Sequence, residues 1–204
     1  MSTVERTRDL NRGPEPTEQS GPHVPGEPGI WVLICGEMAA FTVLFVIWLY
    51  SHGEHPDLFA VGQRELIIGF GAVDTLLLLA SSLFVVVGVR SVRRGVPSAG
   101  PAAFGAGIVC GLGFSVSKLI EWGGHIGAGQ NVHTDEFWMN YYVLTGMHFF
   151  HLLIGMCILV WCLLQARRPA LSAQRYGLLE GGACFWHMVD FLWIVLFPLI
   201  YLVR

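Results

Sequence analysis

The sequence predicts an all-α integral membrane protein, built as a bundle of five transmembrane helices. Of its 204 residues, 53% are hydrophobic and only 13% are charged, and the mean hydropathy is +0.57. A soluble domain averages about 25% charged residues, so this composition excludes one. Five apolar runs each approach or exceed the roughly 20 residues that cross a bilayer. No basic cluster with interleaved aromatic residues is present, so the sequence predicts no nucleic-acid partner.

The N-terminal segment, residues 1–26, differs in composition from the rest of the chain. It contains four prolines, several charges and almost no large apolar residue. Such a segment buries too little apolar surface to fold, and it lacks the early apolar core of a signal peptide. We therefore expect a retained, disordered tail, followed by a membrane domain over residues 27–204.

The predicted spans cover residues 29–50, 66–89, 102–120, 138–164 and 178–202. The third span is the weakest because it is rich in glycine and ends at a helix-end polar pair, Lys118 and Glu121. Gly107, Gly111 and Ser115 recur every four residues along it, and such a row of small residues predicts close helix contact in lipid.

The arginines orient the bundle. Nine of the eleven fall on one side of a five-span chain: three in the tail, three after the second span and three after the fourth. Because basic residues concentrate on the cytoplasmic side, the N-terminus is expected in the cytoplasm and Arg204 outside. Arg90, Arg93 and Arg94 are then expected at the inner surface, where they would contact lipid headgroups.

The outer connections are rich in histidine and carboxylates. A solvated polar rim is the expected interpretation, and a metal site is the alternative. These residues are His52, Glu54, His55, Asp57, His125, His133, Asp135 and Glu136. Neighbouring aromatic residues predict a belt at the membrane interface. They are Trp122, Phe137, Trp138, Tyr141 and Tyr142.

Ionisable side chains at membrane depth are the candidate functional residues. A charge in mid-bilayer costs about 2.5–3.5 kcal/mol on insertion scales, so these groups must face the bundle, pair with one another or stay neutral. Counting residues inward from the ends of the spans, at the rise of an α-helix, places all of these side chains near the middle of the membrane. They are Glu37, Asp74, His148, His151, His187 and Asp190.

Three roles are open for this set. His148 and His151 are three residues apart, as are His187 and Asp190, so each pair shares a helix face. Three histidines and a carboxylate would suit a metal, but no HExxH motif is present. Hydrogen bonding between helices satisfies the same groups, and proton handling is the third role. Glu37 is expected to be neutral unless it meets a protonated histidine.

Several stretches resemble one known family. The helix "IWVLICGEMAAFTVLFVIWLY" carries a single buried glutamate, Glu37. "DTLLLLASS" resembles the next helix. "YYVLTGMHFFHLLIG" contains a TG-x-H-x-x-H pattern, and "FWHMVDFLWIVLFPLIY" contains W-H-x-V-D-x-x-W. These motifs, in this order, resemble subunit III of the haem–copper oxidases, the cytochrome c oxidase subunit III family.

The resemblance covers nearly the whole chain after the tail and implies a short, five-helix form in the plasma membrane of a bacterium. It implies a subunit with no catalytic residue, no metal and no cofactor of its own, whose partner subunits I and II carry haem and copper. It also implies phospholipid binding, assembly of the oxidase and support of proton uptake.

Two features leave the partner enzyme open. Typical oxidase members have a glutamine where this chain has Lys118. The stretches "PGEPGIW" and "FWMNYYVLTG" are similar to subunit-III-like proteins found beside nitric oxide reductases. An accessory subunit of nitric oxide reductase is therefore the alternative. A free-standing transporter or metal carrier is less favoured, because no inverted repeat or pair of interrupted helices is visible.

Overall fold

A computed structural model describes residues 28–96, 98–168 and 171–203, and this part of the chain is helical without strands. Six helices follow one another in these residues, and all except α2 are long and apolar enough to cross a membrane. They are α1 (Pro28–Glu54), α2 (Pro56–Glu65), α3 (Ile68–Arg93), α4 (Ala99–Gly127), α5 (Glu136–Ala166) and α6 (Ala173–Tyr201). The predicted all-helical, five-span fold is confirmed. The predicted tail and Arg204 lie outside the described residues.

The short helix α2 was not predicted, because its stretch is too polar to register as a span. Proline at its first position and Asp57 in its first turn favour a helix start. Its apolar side buries Phe59 between two aromatic rings, with centroid distances of 5.1 Å to Trp48 and 5.5 Å to Phe137. The helix therefore covers one end of the bundle and joins α1 to α5.

The helix α4 continues beyond the point where the sequence predicted its end. Lys118 and Glu121 were expected at a helix end, but α4 runs on to Gly127 and both side chains are buried. A prediction from hydropathy alone ends a span at charges such as these. Here they are paired inside the bundle, so the helix can continue through them.

Helices α3 to α6 pack on one another as a four-helix core. Among the spans, α6 is the most buried and α1 the least. Within the described residues, the main contacts of α1 are with α2, α5 and α6. The close contact predicted for α4 is confirmed at two positions. The Ser81 hydroxyl donates to the Gly107 carbonyl at 2.8 Å, and Gly111 lies against Met156 and Trp186.

The predicted aromatic belt is only partly at the surface. Phe137, Trp138 and Tyr141 are fully or almost fully buried. They contact one another and other rings, including Trp48 and His125. Aromatic rings beside a predicted interface suggested lipid headgroup contact, but these three pack under α2 and the α4–α5 connection instead.

Gly155 sets the distance between α5 and α6. A Cβ there would lie 2.8 Å from the ring of Trp186, which is fully buried and has no room to move. We expect Gly155→Ala to lower the free energy of unfolding by about 1–3 kcal/mol through overpacking. Gly146→Ala on the same helix is the matched control, because no side chain lies within 4 Å of its position. Thermal unfolding in mild detergent measures the stability of both variants. An equal loss of stability in the two would contradict the packing argument.

Candidate functional site

The ionisable side chains within the spans do not form one connected network. Most of them fall into three groups that join different sets of helices. We call them the Glu37–His151 pair, the Lys118 cluster (Asp74, Lys118, Glu121 and Tyr201) and the His187–Ser82 pair.

The Glu37–His151 pair joins α1 to α5. His151 Nε2 lies 2.9 Å from Glu37 Oε2, and His151 Nδ1 lies 2.8 Å from the carbonyl oxygen of Met147. A carbonyl can only accept a hydrogen bond, so Nδ1 carries the hydrogen. The ring also packs edge-on against Phe41, with centroids 5.2 Å apart. The backbone bond and the phenylalanine therefore fix the orientation of the imidazole.

This geometry requires a proton between the two side chains. With Nδ1 protonated, a neutral His151 offers only a lone pair at Nε2. A lone pair facing an ionised carboxylate at 2.9 Å would be repulsive. The contact is attractive only as an imidazolium with a carboxylate, or as a neutral imidazole with a protonated carboxyl. In both states one proton lies in the Glu37–His151 contact.

Glu37 is reachable from the side of the bundle. Its side chain is 29% exposed, whereas that of His151 is 8% exposed. A Cβ added at Gly36 would meet no atom within 4 Å beyond its own helix backbone and chain neighbours, among the described residues. Ala39 and Ala40 are exposed. The carboxyl therefore lies at the edge of the bundle, with small residues around it.

The Lys118 cluster lies fully inside the core, between α3, α4 and α6. Lys118 Nζ donates to Glu121 Oε2 at 2.6 Å and to the Tyr201 hydroxyl at 3.1 Å. The Tyr201 hydroxyl donates in turn to Glu121 Oε1 at 2.6 Å. Asp74 Oδ2 lies 3.5 Å from Lys118 Nζ. One cation thus lies between two carboxyl groups from different helices.

Aromatic rings close the Lys118 cluster off from its surroundings. Lys118 Nζ lies 4.6 Å from the ring centroid of Trp193, a distance at which an ammonium is attracted to the ring face. The Trp193 indole N–H donates to the hydroxyl of Thr75 at 3.1 Å, which ties α6 to α3. His148 is fully buried between Phe114 and Trp193, at centroid distances of 5.7 and 5.2 Å.

The His187–Ser82 pair joins α6 to α3. His187 Nδ1 lies 2.6 Å from the Ser82 hydroxyl. Asp190 follows one turn later on α6 and is almost fully buried, and its Oδ1 has no hydrogen-bond partner among the described residues. The histidine and aspartate of the W-H-x-V-D-x-x-W pattern therefore lie towards Ser82 on α3 rather than towards Glu37 or His151.

Sequence reasoning missed Ser82 and Tyr201, and it included Trp193 only as the last residue of the W-H-x-V-D-x-x-W pattern. Serine and tyrosine in apolar spans carry little signal of their own, because both occur commonly in membrane helices. The periodicity offered one clue: Trp193 follows Asp190 by three residues and so lies near its helix face.

The outer connections hold several polar contacts. His55 Nε2 lies 3.4 Å from Glu136 Oε2, His125 Nδ1 lies 2.7 Å from Gln130 Oε1, and Asp135 caps the start of α5. Within the described residues, no group of three or more His, Cys, Asp or Glu side chains is arranged to hold a metal ion.

A cavity of about 860 Å³ opens at the opposite end of the bundle, between the α3–α4 and α5–α6 connections. Arg93, Arg167 and Arg168 line it together with apolar side chains and Tyr176. Of the three arginines predicted to contact lipid headgroups, Arg93 lines this cavity. Arg90 and Arg94 are exposed and are not among its lining residues.

Comparison with known proteins identifies the family. A family model of cytochrome c oxidase subunit III matches residues 27–203. The cytochrome c oxidase subunit 3 of Synechocystis sp. is 30% identical over 99% of this chain and 87% of its own length. The quinol oxidase subunit 3 of Bacillus spizizenii is 28% identical over 85% of each chain. With its five spans and a match over nearly its whole length, this chain belongs to the cytochrome c oxidase subunit III family.

Proposed function

We propose that this chain is the non-catalytic third subunit of a haem–copper oxidase in a bacterial plasma membrane, packed against subunits I and II. The observation that carries the proposal is the family match over residues 27–203. Purification through a tag on this chain, from native membranes in mild detergent, tests it. Haem-containing subunits should purify with the chain in a fixed ratio. Recovery of the chain alone, with oxidase intact in the remaining fraction, would contradict the proposal.

The electron donor of the complex can be either a cytochrome or a quinol. Relatives of this chain are named both as cytochrome c oxidase and as quinol oxidase subunits. The purified complex should therefore be assayed for oxygen reduction with reduced cytochrome c and with a quinol. Reduction of nitric oxide without oxygen reduction would instead assign the chain to a nitric oxide reductase.

We infer that the Glu37–His151 pair handles protons for the complex. One proton lies in the contact, Glu37 is reachable from the side of the bundle, and His151 is held in orientation by the Met147 carbonyl. These features suit a pair of side chains that takes up a proton from one side of the contact and passes it on from the other. They also suit a purely structural contact, and Glu37→Gln separates the two roles because glutamine cannot exchange a proton.

We further propose that the arginine-lined cavity holds the headgroup of an acidic lipid. Arg93 from α3 and Arg167 and Arg168 after α5 surround a space with apolar walls such as Val92 and Leu171. Guanidinium groups match phosphate oxygens well, and apolar walls suit the upper part of an acyl chain. On the orientation predicted by the arginine distribution, the cavity lies at the cytoplasmic surface, where anionic lipids concentrate.

Replacing these three arginines with Gln should reduce the acidic phospholipid retained by the purified complex. Each basic group near an anionic surface contributes about 1 kcal/mol, so the loss of three should release most of the lipid. The matched control replaces Arg90, Arg94 and Arg175, three exposed arginines on the same predicted side. Both variants lose the same charge. Lipid mass spectrometry would contradict the proposal if the two variants retained equal amounts.

The orientation is tested by reporter fusions. A reporter that is active only outside the cytoplasm should work after Arg204 or near His125, and should fail near Arg93 or Arg168. The expectation rests on the placement of nine arginines on one side. The opposite pattern of activity would reverse the topology.

A further inference from the structure

The Lys118 cluster has an unbalanced charge if both of its carboxyl groups are ionised. It contains Asp74 from α3 and Lys118 and Glu121 from α4, with side chains that are 0%, 0% and 2% exposed. An uncompensated charge in such a place is very costly. The Lys118 ammonium can balance one carboxylate. If the second carboxyl group were also ionised, it would need a second cation.

No second cation supplies that balance within the described residues. The other polar groups facing the cluster are the hydroxyls of Ser117 on α4 and Tyr201 on α6 and, on α5, Tyr141 and the ring of His148. Both nitrogens of His148 lack a hydrogen-bond partner among the described residues. A protonated His148 would bring a second positive charge close to Lys118 without any acceptor. The phenols are neutral, so they donate or accept hydrogen bonds but add no positive charge.

The geometry distinguishes the two carboxyl groups. Glu121 accepts two short hydrogen bonds, from Lys118 and from Tyr201, both at 2.6 Å. Bonds of this kind stabilise an ionised carboxylate. Asp74 has neither oxygen hydrogen-bonded in the described structure, and its nearest charge is the Lys118 ammonium at 3.5 Å. Glu121 is therefore the anion that balances Lys118.

We propose that the Lys118 cluster is a proton-binding site that holds one proton on Asp74. In the bound state the cluster contains one cation, one anion and one neutral carboxyl group. This site is separate from the Glu37–His151 pair, and its occupancy is measurable without oxygen reduction or any partner's activity.

Infrared spectroscopy of the full chain, in the complex or in lipid nanodiscs, counts protonated carboxyl groups directly. Their C=O stretch is well separated from the carboxylate bands and shifts when the sample is moved into heavy water. The native chain should show a contribution to this band that is lost in Asp74→Asn. In Lys118→Gln, Glu121 loses its cation and should gain a proton, so the intensity from this cluster should double. Asp74→Asn combined with Lys118→Gln should restore the intensity of one carboxyl group.

Two results would overturn the proposal. One is an unchanged protonated-carboxyl band in Asp74→Asn. The other is a native band that belongs to glutamate alone, as shown by incorporating carboxyl-labelled aspartate or glutamate. The labelling needs no substitution, so it decides the question even if a variant fails to fold. Asp190→Asn is the control that removes the other deeply buried aspartate, and it should leave the Asp74 contribution in place.

Discussion

Replacing Lys118 with Met should strongly destabilise the folded protein. Lys118 is fully buried, bonds to Glu121 and Tyr201, and lies beside Asp74. Removing one member of a buried ion pair leaves the other charge uncompensated, which costs about 3–5 kcal/mol. Thermal or denaturant unfolding in detergent should record this loss, together with poorer assembly into the oxidase.

Asp74→Asn is the matched comparison for Lys118→Met. Its side chain has nearly the same shape, and if Asp74 is neutral the substitution removes no charge. We expect it to change the free energy of unfolding by less than about 1 kcal/mol, within the range of mild substitutions. Glu121→Gln removes the anion that balances Lys118 and should resemble the lysine variant. Equal costs for the two carboxyl substitutions would show that both groups are ionised.

Glu37→Gln should abolish labelling by a hydrophobic carbodiimide that partitions into lipid. Carbodiimides react with protonated carboxyl groups, and the Glu37 side chain is 29% exposed at the edge of the bundle. If the proton of the Glu37–His151 contact lies on Glu37, labelling of the native chain should be strong, and a water-soluble carbodiimide should be much less effective. Mass spectrometry locates the modified residue. Glu54→Gln, an exposed carboxyl on the same helix, is the control and should leave Glu37 labelling unchanged.

The same variant separates a proton-handling role from a structural one. Glutamine keeps the shape of Glu37 and can hydrogen-bond to His151, but it cannot exchange a proton. A complex that assembles normally and takes up protons more slowly supports the proton role. Normal assembly with the native rate of uptake would make that role wrong. A variant that fails to assemble would make the contact structural.

Hydropathy was sufficient to predict the spans, because a bilayer imposes one length and one polarity on every segment that crosses it. It missed α2, whose residues are half polar and which is held by Phe59 in a tertiary contact. It also ended the third span too early at Lys118. A charge in a helix lowers hydropathy whether or not a partner balances it, and only the packing of α3 and α6 supplies that information.

The grouping of the ionisable residues could not be predicted from their depth. Residue counting gives a position along the membrane normal but no direction around each helix. Residue counting placed Glu37 and Asp74 at similar depths. In the structure, Glu37 contacts His151 at the edge of the bundle, and Asp74 lies beside Lys118 in its core. The direction in which each side chain points depends on how the helix is rotated about its own axis. That rotation is set by contacts between helices, such as the close approach of Gly107 to Ser81.

The sparse packing of α1 has a consequence for how the protein assembles. Its contacts with this chain are few, at Ile30 beside Gly181, at Glu37 and at the aromatic residues around Trp48, while most of its length is uncovered. We therefore expect helices α3 to α6 to associate first and α1 to join them in a later step. Because so little of its surface is covered by its own chain, the docking equilibrium of α1 depends strongly on the lipid or protein surface that covers its other side.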